Sequence, residues 1–423
     1  MKFLFYTVYN LLILMAIPVA WVVAFFNDKF GGSLTGQKQI IPAVNLFNSK
    51  VKKDPKPVIW THAASAGEYE QMRPILTRLQ DMDVYVFQTF TSATIYYKSS
   101  QDKLFDGVSF LPWDIYTRVN HFIKLLQPNL FINTRHDIWP NLLLSLHYNR
   151  VRNILINANL YRESKRLYPI IRGVNRIVFR NIDHIYTGSD SLQLLLNQLY
   201  DGPISDVGDS RFDQVIERSY TNQSVLIPGD IITDRKVIVY GSVGNTDLSI
   251  ITGAISKAIT DNNLLHIIVP HEVKERDLIP WEVQLFRHKI KSIRKSELSE
   301  YKNESVILWN SVGQLADLYK YAHLAYIGAG FGDGVHSVTE AAIYHVPASH
   351  GPKYDILAEA IDLVEEGLSK VTHHEDELYD FLTMPLATRS DMSQQIKLFV
   401  NARLGATDAI IKHEFPLKDS DSQ

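Results

Sequence analysis

The apolar positions of this chain begin with one unbroken run. From Phe3 to Phe26 there is no charged residue, a stretch longer than the roughly 20 residues a helix needs to cross a hydrocarbon core. Asn10 and Pro18 interrupt it, and a membrane helix carries both. Tyr6, Tyr9 and Trp21 suit positions near the membrane–water interfaces. A secretory signal peptide has an apolar region of only about 7–15 residues, so the expectation is an uncleaved transmembrane anchor over residues 3–26. Lys29, Lys38, Lys50, Lys52 and Lys53 follow it against only Asp28 and Asp54. That lysine excess places the main body on the cytoplasmic side.

After a loop expected over about 28–56, short apolar runs alternate with helix-length amphipathic runs. Val58–His62, Val84–Phe90, Val108–Leu111, Leu130–Thr134, Asn153–Ala158 and His184–Thr187 read as buried strands. Glu68–Leu79, Thr117–Leu126 and Ser191–Leu199 read as helices between them. From about Ile216 to Asp234 the rhythm breaks, with Thr221-Asn222-Gln223-Ser224 and Pro228-Gly229-Asp230 as linker signals. It restarts with strands at Val237–Tyr240, Leu264–Val269, Val306–Trp309, Leu324–Ile327 and Val346–Ser349. Helices are expected at Thr246–Ile259, Gly313–Tyr321, Val338–Tyr344, Ile356–Glu366 and Arg389–Leu404. Such alternation predicts parallel sheets covered on both faces. The expectation is therefore two doubly wound, Rossmann-like α/β domains, over 45–215 and 235–404, with ligands at the carboxyl ends of strands in a cleft.

Composition narrows the function. Charged residues make up 21% of the chain and the net charge is −3, so there is no basic surface of the kind that displaces counterions from nucleic acid. The absence of cysteine rules out disulfides, thiolate metal sites and thiol nucleophiles.

Three segments carry candidate chemistry. Thr61-His62-Ala63-Ala64-Ser65-Ala66-Gly67-Glu68 follows a strand and opens a helix, and its small residues let a substrate approach the backbone. Glu68 is there either as a general base or as a first-turn carboxylate that the helix dipole stabilises and whose pKa it lowers. Gly328-Ala329-Gly330-Phe331-Gly332-Asp333-Gly334 runs into Ser337-Val338-Thr339-Glu340. It is either a phosphate-binding loop feeding a helix start or a glycine-rich turn without ligand, and it fits neither a dinucleotide fingerprint nor a P-loop. Glu340 is placed to take a ribose hydroxyl or to stand solvated on its helix. Val269-Pro270-His271 ends a strand, where His271 serves a phosphate, a base or the fold alone. His373-His374-Glu375-Asp376-Glu377 and Asp81-Met82-Asp83 do not read as metal sites, because consecutive residues do not converge on one ion and the second precedes its strand.

In order and spacing these segments resemble the Kdo transferase family, whose members transfer 3-deoxy-D-manno-octulosonic acid (Kdo) from CMP-Kdo to lipid A precursors. The resemblance covers most of the chain. It runs through the N-terminal anchor, His62–Glu68, Leu111-Pro112-Trp113-Asp114, Ile138-Trp139-Pro140-Asn141 and Asn157-Ala158-Asn159. It continues through Val207-Gly208-Asp209-Ser210-Arg211-Phe212-Asp213, Val269-Pro270-His271, Val312-Gly313-Gln314-Leu315, Gly334–Ala342 and Gly351-Pro352. It implies a two-domain GT-B fold, inverting chemistry without metal or cofactor, an inner-membrane location, and lipopolysaccharide core biosynthesis with a lipid IV-A type acceptor. Glu68 matches the family's catalytic base and Arg211 a position that steadies the transition state. Pro270, His271, Val312, Gly313, Gln314, Ser337, Val338, Thr339 and Glu340 match the CMP-contacting segments. Where many members have Glu-Thr-Glu, this chain has Arg135-His136-Asp137. Arg135 reverses the charge at a transition-state position, and Asp137 is the reserve candidate for the base. One cation of Pro-Arg-His is missing at Pro270-His271, and Ser337 replaces a usual Asn. These departures leave two alternatives, a catalytically silent membrane-tethered binding protein and a transferase of another nucleotide sugar.

Overall fold

The computed structural model describes residues 2–26, 28–135, 137–160, 164–221, 225–258 and 263–416. His136, the linker residues Asn222–Ser224 and the polar tail lie outside them.

The chain divides into two units, residues 1–214 with 403–423, and residues 215–402. The first unit opens with α1 (Lys2–Phe26), which by length and composition is long and apolar enough to cross a membrane. Two helices occupy the segment expected as a loop, α2 (Asp28–Gly36) and α3 (Ile40–Val51). In α3 the buried residues Ile40, Val44 and Phe47 recur at helical spacing and pack into the core beside Phe87. The sheet that follows comprises β1 (Val58–Ala63), β2 (Tyr85–Phe90), β3 (Gly107–Phe110), β4 (Leu130–Thr134), β5 (Arg152–Ala158), β6 (His184–Thr187) and β7 (Ile204–Asp206). Its order is β3-β2-β1-β4-β5-β6-β7 and its pairings are parallel.

Side chains along β1 alternate between two cores, as the period of a strand requires. Val58 and Trp60 join the face built on Phe87, Phe122 and Phe131, where Trp60 lies 4.4 Å from the Phe131 ring. Ile59 and Ala63 join the opposite face, which α4 (Ala66–Gln80) covers with Tyr69, Met72, Ile75, Leu76 and Leu79. Ile410, from the helix Ala406–Glu414, belongs to the same face. That last helix was not expected from the sequence. Asp213 caps it by accepting from the Gly405 and Thr407 N–H groups, each at 2.8 Å.

The second unit repeats the plan with β8 (Lys236–Val243), β9 (Leu264–Pro270), β10 (Ser292–Arg294), β11 (Val306–Leu308), β12 (Leu324–Ile327), β13 (Ala348–His350) and β14 (Ser369–Val371). The order is β10-β11-β9-β8-β12-β13-β14, again with parallel pairings. On one face Ile238 and Tyr240 pack with Ile251 and Ile255 of the helix Leu248–Ala258 and with Trp281 of the helix Glu275–Arg287. Two doubly wound parallel sheets, each reversing strand order beside its first strand, make the GT-B fold expected from the sequence. The reversals fall between β1 and β4 and between β8 and β12. In such sheets ligands bind at the carboxyl ends of the two strands flanking the reversal.

Candidate active site

In the first unit the carboxyl ends at the reversal carry Ala64–Glu68 after β1, and Arg135 and Asp137 after β4. Ser65 leaves the strand in extended conformation and caps α4, accepting from the Glu68 N–H at 3.3 Å. Glu68 answers with Oε2, which accepts from the Ala64 N–H at 2.7 Å and the Ser65 N–H at 3.1 Å. This is a capping box, in which two orphan donors at the helix start are satisfied reciprocally. The sequence carries its Ser-x-x-Glu signal at Ser65 and Glu68. Both of these bonds fall on Oε2, so Oε1 stands outside the box.

The electrostatics of Glu68 differ from the expectation of a dipole-lowered carboxylate. Burial first, and then the Asp137 carboxylate, raise its pKa above the ordinary range, against the pull of the Ala64 and Ser65 N–H groups and of His62. Asp137 is tied to the same strand, with Oδ2 at 2.7 Å from His62 Nε2. The other nitrogen of the buried His62 ring lies 2.9 Å from Thr89 Oγ1. Glu68, His62 and Asp137 therefore form one polar group at the carboxyl ends of β1 and β4. The sequence points to the two carboxylates and assigns His62 no role.

Arg135 and Arg211 converge on a different carboxylate. Arg211 donates to Asp209 through Nε at 2.9 Å, Nη2 at 2.5 Å and its backbone N–H at 2.8 Å. Burial pushes the Asp209 carboxyl up, but Arg211 and then Arg135 outweigh it and hold the pKa below the ordinary range. Arg135 itself sits at φ +62° and donates its N–H to the Ile156 carbonyl. Other residues of the same motifs act as fasteners. Asn157 and Ser210 exchange hydrogen bonds at 2.7 and 3.0 Å, and Ser210 Oγ donates to the Gln71 carbonyl of α4. Asp114 accepts from the Asn141 and Leu142 N–H groups, at 3.0 and 2.8 Å, and so caps the helix Pro140–Tyr148.

In the second unit a cavity of about 300 Å³ opens at the β8–β12 reversal. Gly313, Ser337 and Glu340, three of the expected nucleotide-binding residues, line it together with Ser242, Tyr319 and His336. Ser242 is held at φ +52°, where β8 shifts register against β9. A side chain on its neighbour Gly241 would meet the Tyr319 hydroxyl. His271 stacks on His336 with ring centroids 4.6 Å apart and planes 5° apart. Burial, then the His271 charge, lower the His336 pKa. Gln314 accepts from Trp309 Nε1 at 3.1 Å and fixes that loop, while Val312 is exposed. Pro270 ends β9 opposite Val243, and Val338 and Thr339 are buried.

The glycine-rich loop owes two of its glycines to packing. A Cβ on Gly328 would lie 2.4 Å from the Ser242 carbonyl oxygen, and one on Gly330 would lie 2.6 Å from the Gly351 nitrogen. Asp247 ties the loop down, accepting from Tyr326 Oη at 3.0 Å, the Gly244 N–H at 2.9 Å and the Ala329 N–H at 3.1 Å. Ser242, Tyr319 and Asp247 are not among the residues the sequence points to. Only Asp247 had a signal, an Asp immediately before a periodic helix.

Known proteins resemble this chain in sequence and in fold. A family model described as 3-deoxy-D-manno-octulosonic-acid transferase (kdotransferase) matches residues 41–214. The 3-deoxy-D-manno-octulosonic acid transferase of Aquifex aeolicus is 23% identical over 83% of this chain and 92% of its own length. That of Haemophilus influenzae is 26% identical over 72% of this chain and 73% of its own. Among solved structures, a putative UDP-N-acetylglucosamine 2-epimerase from Listeria monocytogenes superposes with a TM-score of 0.62 at 14% identity. It covers 85% of this chain and 97% of that one, a likeness of fold.

Proposed function

We propose that this chain is a glycosyltransferase of the Kdo transferase kind and that it transfers Kdo from CMP-Kdo to a lipid A precursor of the lipid IV-A type, with inversion. The observation that carries the reading is Glu68, a buried carboxylate with raised pKa at the strand reversal of the first sheet. Its Oε1, outside the capping box, takes the proton of an acceptor hydroxyl. The acceptor oxygen forms its bond to the anomeric carbon of Kdo as the bond to the phosphate oxygen breaks, and CMP leaves with the electron pair. A raised pKa makes the ionised carboxylate a stronger proton acceptor than an ordinary one. Arg135 and Arg211 supply positive charge for the transition state, and Asp137 tunes Glu68.

The donor is assigned to the second unit. Glu340 takes a ribose hydroxyl at the cavity beside Ser337 and Gly313, with Pro270, His271, Val312, Gln314, Val338 and Thr339 shaping its walls. The lipid acceptor places the enzyme at the inner membrane, anchored through α1 with its catalytic body on the cytoplasmic side. The two domains assigned to acceptor and donor are residues 45–215 and 235–404.

One observation favours a second reading. Arg211 is engaged by Asp209, and a guanidinium already neutralised stabilises developing charge less well. That suits a silent binding protein of the same fold. Calorimetry with CMP and with UDP, followed by turnover with CMP-Kdo, separates the readings. CMP binding with turnover supports the proposal, CMP binding without product supports the silent protein, and preference for UDP points to another donor.

A further inference from the structure

Helix α1 has two unlike faces. One carries Leu4, Val8, Leu11, Leu12, Met15 and Val19, exposed by 46–65%. The other carries Tyr6, Tyr9 and Asn10, and it is fastened to the body of the first unit. Tyr6 is buried and its hydroxyl accepts from Asn181 Nδ2 at 3.1 Å. Tyr9 donates to Asp114 at 2.8 Å, and Asn10 exchanges two 3.1 Å hydrogen bonds with Asn141. Even Lys2 Nζ lies 5.5 Å over the Tyr148 ring. Two of the three aromatic residues expected at the membrane interfaces, Tyr6 and Tyr9, and the interrupting Asn10 are the contacts that hold the helix down.

The chain returns to the same body beyond α1. Ser33 Oγ donates to the Thr91 carbonyl at 3.1 Å, and Gln37 Nε2 donates to the Leu111 carbonyl at 2.9 Å. A segment fixed to one body at both ends crosses a bilayer an even number of times. Beyond Asn10, α1 has 16 residues left, Leu11 to Phe26, a length of about 24 Å at 1.5 Å per residue. The hydrocarbon core is about 30 Å thick. A second feature adjoins α1. The helix Pro169–Phe179 packs Ile177 against Tyr6 and leaves Tyr168 and Ile170 exposed. Its segment, 164–182, carries Lys165, Arg166, Arg172, Arg176 and Arg180 and no acidic residue. Asp201 faces Arg176 and Arg180. Apolar residues with a basic flank suit an anionic lipid surface.

We infer that α1 does not cross the bilayer but lies on the body with its apolar stripe in one leaflet, so that α1 and the start of the Pro169–Phe179 helix form a single membrane-docking face. The inference rests on the membrane location proposed above and is independent of the donor sugar.

Because the chain has no cysteine, the full-length protein accepts single reporter cysteines. Lys2→Cys and, on the exposed surface of the second unit, Lys302→Cys are labelled with an impermeant maleimide in sealed inner-membrane vesicles of both orientations. Both sites reacting from the same side supports the inference, and Lys2→Cys reacting only from the side opposite Lys302→Cys overturns it. Protein absent from the vesicles would instead sink the membrane location itself. The doubly substituted Leu12→Asp, Met15→Asp chain, checked for folding by circular dichroism, is then floated with phosphatidylethanolamine–phosphatidylglycerol vesicles. At least tenfold weaker binding than wild type is expected. Unchanged binding with loss of a self-associated form in sedimentation would make the stripe a contact between copies and overturn the lipid assignment.

Discussion

Replacing Glu68 by Gln separates the two jobs this residue holds. As N3 of the capping box, Oε2 accepts from the Ala64 and Ser65 N–H groups, and a Gln amide oxygen accepts them as well. Glu68→Ala removes both bonds and costs about 0.5–2 kcal/mol of stability, the usual range for a lost cap. As base, Glu68 contributes about 100- to 10,000-fold in rate, or about 2.7–5.4 kcal/mol of barrier. Glu68→Gln should therefore keep its thermal midpoint near wild type while turnover under saturating donor and acceptor falls by that factor. Its CMP affinity by calorimetry should not change, because the residues assigned to CMP belong to the second unit. A Glu68→Gln enzyme with near wild-type turnover would refute the base assignment and leave Glu68 as a cap, with Asp137 next in line.

The pH profile gives a sign to check. Glu68 must be ionised to act, so activity falls as pH drops through its raised pKa, and the acidic limb of kcat/KM should lie above the ordinary glutamate range. Asp137 is the second cause of that rise, so Asp137→Asn should move the limb to lower pH, and an unmoved limb would break the link. Glu340→Ala should weaken CMP binding in calorimetry without altering the circular dichroism spectrum. Gly330→Ala forces a Cβ to within 2.6 Å of the Gly351 backbone, and urea unfolding should show a loss of about 1–3 kcal/mol.

The fold was legible where strands are buried on both faces. Val58–Ala63 and Leu264–Pro270 are buried throughout and mostly apolar because both sides of each meet a core. The edge strands β7, β10 and β14 were not legible. Each has only three residues, and Ile204-Ser205-Asp206, Ser292-Ile293-Arg294 and Ser369-Lys370-Val371 hold two polar or charged residues apiece, so no apolar run marks them. Ile40–Val51 had the right spacing, but the glycines before it and the lysines after it read as loop. In the site, Glu68 was legible from its strand, its small neighbours and its helix. The pairing of His62 with Asp137 was not, since it exists only once β1 and β4 lie side by side. Nor does sequence show that Tyr9 reaches Asp114. An uncharged run reads alike whether its polar residues face lipid or protein.

The transfer reaction tests the assigned activity most directly. Membranes bearing the full chain are given CMP-Kdo and a lipid IV-A type acceptor, and CMP release and acceptor mass are followed together. CMP should be released in step with acceptor that has gained Kdo, and Glu68→Gln should give neither product. Bound CMP-Kdo with no modified acceptor, or turnover only with a different nucleotide sugar, would contradict the assigned activity.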